Sequence, residues 1–178
     1  MGFHDNNGFY HEHRSPLLIS LHSFREADAN GDVGAITANG GILASDTTPV
    51  MRGASGLIAQ ELSWATGNAD PIVTQIPLPE DFDGRDDVLI DLWVNSGTTD
   101  AATFTVATSW DGAATVSDTA TDATPSATTH KITARVAAAD IPDRATSLTV
   151  LLTPAAHATN AIQLRNVRGS YVARVKAA

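Results

Sequence analysis

From residue 33 onward, no stretch of this chain keeps a helical period long enough to give a helix one apolar face. Short apolar or alternating runs recur instead, each closed by Gly, Pro, Asn or Asp. They cover residues 33–37, 56–64, 71–78, 88–94, 103–110, 113–119, 126–136, 148–152 and 162–175. In 56–64 the alternation is plain: Leu57, Ala59 and Glu61 on one side, Ile58, Gln60, Leu62 and Trp64 on the other. Asp111-Gly112 stands between two runs as a hairpin turn signal. Only residues 137–140 read as a turn of helix. Strands spaced about ten to fifteen residues apart with such turns predict an antiparallel sandwich or barrel. Roughly eight strands favour a jelly-roll-like β-sandwich over a seven-stranded immunoglobulin-like one. The fold class expected is all-β: a sandwich over 31–178 behind an extended N-terminal arm over 1–30.

Composition says how well such a sandwich is filled. The 178 residues include 29 Ala and 21 Thr but only 40 Leu, Ile, Val and Phe, so the core is thin. Thr supports strand, and Ala allows sheets to pack closely. Phe104, Val106, Leu89, Trp93, Ile132, Leu148, Val150 and Leu164 are the expected core. The net charge of -9 argues against a nucleic-acid binder, which carries a basic footprint. No run approaches the length of a bilayer span, and no basic segment followed by an apolar one marks a secretory leader. The absence of cysteine excludes disulfides, thiolate zinc sites and Cys nucleophiles.

The two ends differ from the middle. Residues 1–30 hold four of the six His and the aromatics Phe3, Phe9, Tyr10 and Phe24. Within it, residues 17–24 read as one short strand; disordered tails are poor in aromatics, so this arm is expected to order by docking on a partner. Phe3, Phe9, Tyr10, His11, His13, Leu17 and Phe24 are its candidate contacts. At the other end, residues 165–178 carry Arg165, Arg168, Arg174 and Lys176 and no acid. Strict alternation does not place Arg165, Arg168 and Arg174 on one strand face. They read as a strand and tail that meet an acidic surface, of this chain or of a partner.

The motifs that would carry chemistry fail one by one. Asp28-Ala29-Asn30-Gly31-Asp32 opens like a calcium loop, but Val33 stands where the loop needs Gly, and Asn39 where it needs a bidentate Glu. The acidic run over 79–87 and the pair His11 and His13 lack a defined ligand set. Gly53-Ala54-Ser55-Gly56 misses the nucleophile elbow because Leu57 takes the last Gly position. No phosphate loop or dinucleotide fingerprint is present. No enzyme activity, metal or cofactor is expected. Sugar binding needs exposed aromatics with flanking polar groups; Trp64 and Trp110, exposed and coplanar, would mark it, while Trp93 in the most apolar run is expected in the core.

The segments 32–52, 77–97, 103–112 and 136–172 (for example PLPEDFDGRDDVLIDLWVNSG) resemble small virion proteins of tailed bacteriophages. That resemblance implies a non-enzymatic jelly-roll-like structural protein: a capsid decoration or cement protein on the head. Its partner would be the major capsid protein, and it would be a homo-oligomer, a trimer for preference, located in the virion. Neither nucleic acid nor membrane would be a partner. The alternative expectation is a carbohydrate- or receptor-binding β-sandwich of a tail fibre, baseplate or head spike.

Overall fold

The computed structural model describes residues 14–33, 40–53, 60–122 and 124–173. Among them are eleven strands: β1 (Arg14–Ile19), β2 (Arg25–Glu26), β3 (Val50–Gly53), β4 (Gln60–Trp64), β5 (Ile72–Pro77), β6 (Val88–Asn95), β7 (Thr103–Trp110), β8 (Val116–Thr121), β9 (His130–Val136), β10 (Ser147–Pro154) and β11 (Ile162–Val172). The helical content is two 3-10 turns, Leu21–Ser23 and Ala138–Asp140. One sheet runs β3-β4-β11-β6-β9, with β1 also paired to β11; the other runs β2-β5-β10-β7-β8. Every pairing is antiparallel. The chain is a jelly-roll-like antiparallel β-sandwich. It has more than eight strands because β2 and β3 are too short to show alternation, and because β1 comes from the segment read as an arm.

Burial follows the pleat, in which side chains alternate between the two faces. Val88, Ile90, Leu92 and Val94 of β6 are fully buried, as are Leu148, Val150 and Leu152 of β10. Phe104, Val106 and Leu164 are fully buried too, and Ile132 nearly so. The ring of Trp64 meets that of Phe104 edge-on, with centroids 5.4 Å apart. Phe82 stacks on Trp110 at 5.5 Å and leans on Tyr171 at 5.4 Å. Asp111 (φ 50) and Gly112 (φ 75) make the expected turn between β7 and β8, since a two-residue hairpin turn of this twist needs both central residues left-handed.

The arm divides at Arg14. Phe3, Phe9, Tyr10, His11 and His13 lie outside the described residues. Leu17 and Phe24, expected to dock on a neighbour, are buried in this chain's own core, 2% and 0% exposed. β1 pairs with β11 across the whole chain, Leu17 opposite Gly169. A Cβ on Gly169 would sit 2.8 Å from the Leu17 Cβ, so glycine there is what lets Leu17 reach inward. Two core expectations also fail. Leu89 and Trp93 point outward, because Asp91 fixes the parity of β6: the charge faces water, and residues two away share its face.

Candidate functional site

The outer face of the six-stranded sheet gathers the polar and aromatic side chains. On β6 the outward positions are Leu89, Asp91, Trp93 and Asn95, with Trp93 half-buried in mid-sheet. Trp93 is registered with Lys131 of β9 on one side and Asn166 of β11 on the other. The register of β11 shifts between Leu164 and Asn166, so Arg165 is an extra, bulged residue. A bulge changes the strand's alternation. Leu164 and Val167, three apart, both face the core, while Arg165, Asn166 and Arg168 all stand on the outer face. This corrects the expectation that Arg165 and Arg168 lie on different faces. Arg174 and Lys176 lie outside the described residues.

Glu61 of β4 lies under two cations, Arg52 of β3 and Arg165. Its Oε1 accepts from Arg52 Nε at 3.0 Å and its Oε2 from Arg165 Nε at 3.1 Å. Arg165 Nη1 also donates to Thr129 Oγ1 at 2.8 Å. The basic strand therefore does meet an acid, and the acid belongs to this chain. Between them is a cavity of about 360 Å³ lined by Arg52, Gly53, Glu61, Gln163 and Arg165. Along β6, Asp91 accepts from Thr133 Oγ1 at 2.6 Å and pairs with Lys131 Nζ at 3.4 Å. Beyond Arg168, its β1 neighbour Leu18 is 82% exposed. The face thus offers one aromatic ring, one bare aliphatic side chain, and a border of amide and charged groups.

The other two tryptophans do not contribute to any surface. Trp64 and Trp110, the residues sequence reasoning put forward for sugar stacking, are 0% and 1% exposed. Trp64 Nε1 donates to the Asp70 carbonyl at 2.8 Å. Trp93, assigned to the core, is the tryptophan with an outward face. The missed signal was Asp91, two residues before it in the same run.

Elsewhere the carboxylates serve local structure. Asp28 accepts from the backbone of Asn30 and Asp32, so Asp28–Asp32 is a polar turn. In the acidic run over 79–87, Asp81 accepts from Tyr171 Oη at 2.7 Å, while Asp87 takes Arg135 and the Ala138 amide. Those two bonds, the Ala138 amide first, hold the Asp87 carboxyl below its ordinary range. Backbone amides of Asn160 and Thr159 do the same for Asp100, and Thr146 with Ser147 for Asp111. Burial, then the bond to Asp81, pushes Tyr171 up to about 12. Among the described residues, no group of three His, Cys, Asp or Glu side chains is placed to hold a metal ion. No described helix is long and apolar enough to cross a membrane.

No family model matches the chain, and no curated protein matches it. Solved structures share its fold. A xylan-binding module, CBM15, superposes with a TM-score of 0.57 at 12% identity, over 92% of this chain and 100% of that one. A mutant of xylanase 10C from Cellvibrio japonicus, in complex with xylopentaose, superposes with a TM-score of 0.53 at 12% identity. That match covers 87% of this chain and 28% of the xylanase.

Proposed function

We propose that this chain is a non-catalytic carbohydrate-binding module that lays a polysaccharide across the outer face of its six-stranded sheet. The observation that carries the reading is Trp93: a tryptophan held outward in mid-sheet, on the face that also carries a polar cavity, in a sandwich that has the fold of a xylan-binding module. A pyranose ring is apolar on its faces and polar at its rim. An aromatic side chain supplies area to the first at low entropic cost, and Gln163, Asn166 and Lys131 supply partners to the second. The capsid-decoration reading has sequence texture behind it, and no contact in the fold adds to it.

The test is affinity electrophoresis and calorimetry against xylan, cellulose, mannan and β-glucan. The wild type is expected to bind at least one of them, and Trp93→Ala to lose roughly tenfold or more. Trp93→Phe should keep part of the affinity. A folded wild type that binds no polysaccharide in the set, and binds purified phage capsids in hundreds of copies, would replace this reading with the structural one.

A further inference from the structure

The charge on the proposed binding face is opposite to that of the chain. Cations that stand there, among the described residues, include Arg52, Lys131, Arg135, Arg165 and Arg168. Three carboxylates accompany them, Glu61, Asp91 and Asp87, and each already has a cation. Exposure separates the two signs. The carboxylates lie low, with side chains 5%, 15% and 26% exposed, while their cations stand above them at 42–70%. Water, or a ligand, therefore meets nitrogen before oxygen. Arg168 goes further. It is exposed, and its side chain has no hydrogen-bond or ion-pair partner among the described residues. Its register neighbour Asp91 is turned toward β9, bonded to Thr133 and Lys131. Trp93 is two residues along β6 from Asp91, so Arg168 and Trp93 are diagonal neighbours, about 7–8 Å apart at the backbone.

Resting on the carbohydrate reading, we infer that the glycan this face takes is acidic: a polysaccharide bearing uronic-acid carboxylates. Trp93 would stack on one sugar ring, and the Arg168 guanidinium would take the carboxylate of a neighbouring sugar, a pairing its planar fork suits. The net charge of -9 does not forbid this. At physiological salt the Debye length is about 8 Å, so exposed acids in loops farther away than that are largely screened from this face. A neutral glycan would offer Arg168 hydroxyl oxygens as acceptors, without the charge and the bidentate geometry of a carboxylate.

The experiment compares ligands that differ only in the carboxylate. The full chain is titrated with glucuronoxylan and with its carboxyl-reduced form, and with polygalacturonate and its methyl ester. The expected result is roughly tenfold tighter binding to the acidic member of at least one pair, with the gap closing as salt rises from about 0.05 to about 0.5 M. Arg168→Ala should erase most of that gap, whereas Thr105→Ala on the opposite sheet should leave the gap and the affinity for both members unchanged. Arg168→Lys should restore part of it, which a merely structural role for Arg168 would not produce. Equal affinity for both members of each pair would overturn the acidic-ligand inference and leave the carbohydrate reading standing. Binding to neither member would overturn both. Equal affinity for duplex DNA of matched charge density would overturn it too, since the face would then select charge and not sugar.

Discussion

The two outer faces of the sandwich are built from the same kind of strand and present opposite chemistries. On the five-stranded sheet the outward positions of β5, β7, β8 and β10 carry no charge. Thr105 lies opposite Thr153 and Thr119, Thr103 opposite Thr121, and Thr149 between Gln75 and Ser109. Threonine and serine dominate these positions, with Val73, Gln75 and Leu151 among them and Arg25 of β2 at the sheet's edge, and the register is regular. On the six-stranded sheet the outward positions hold Trp93, Leu18 and a group of cations, and β11 breaks its own alternation at Arg165. Both faces satisfy the pleat equally, so fold stability does not explain the difference. An irregularity kept where polar and aromatic groups converge fits a surface shaped for contact, and bulges gather at such places. The threonine face has what a strand needs on its solvent side and nothing further.

The largest expected effect tests whether β1 belongs to the six-stranded sheet. Leu17→Ala should cost about 2–5 kcal/mol in chemical denaturation, the usual loss for a buried Leu. Leu18→Ala, one residue away on the exposed side, should stay within about 0.5 kcal/mol. Equal, small losses would return residues 14–19 to the status of an arm. Next, Trp93→Ala should weaken glycan binding roughly tenfold or more with little change in melting, whereas Thr105→Ala on the opposite face should leave binding unchanged. A reversed result would move the site to the other sheet. Third, Glu61→Gln should cost about 1 kcal/mol, because its two arginines are half-exposed and water partly replaces the lost pairs. Calorimetric unfolding would measure it.

The smallest effects come from pH. Asp87 on the cationic sheet, and Asp100 and Asp111 at the sandwich ends, all ionise below 3.8 when folded. Each therefore adds stability that is complete above about pH 5 and is lost as pH falls through its lower folded value. Tyr171 runs the other way. Its neutral form is favoured in the fold up to about 12, so its contribution is intact below about pH 10 and fades as pH climbs from there toward 12. Melting temperatures measured across both ranges should drop at each end. Asp111→Asn should flatten the acid limb.

The fold was largely legible, and the site was not. Phe104, Val106, Ile132, Leu148, Val150 and Leu164 could be assigned to the core because each sits in a run whose neighbours alternate with it. In β6 five of the first seven residues are Val, Leu or Ile, so hydrophobicity alone leaves its parity open. Only Asp91 resolves it, and a single charge in an apolar run is easily read as an exception. The Arg165 bulge had a trace as well: Leu164 and Val167 are three apart, a spacing that no regular strand can bury. The pairing of Leu17 with Gly169 had no local trace, since its cause lies more than 150 residues away.

That pairing also decides how this domain can be attached to anything else. Arg14 is registered with Val172, so the chain enters and leaves the sandwich side by side, at one end of β11. Gln163 and its cavity lie nine residues back along the same strand, roughly 30 Å away at the rise of an extended chain. A tether, tag or neighbouring domain joined at either point departs from the corner remote from that cavity. The same proximity means that a short loop could link Arg14 to Val172 and the chain could be reopened elsewhere, giving a circular permutant with its working face unaltered.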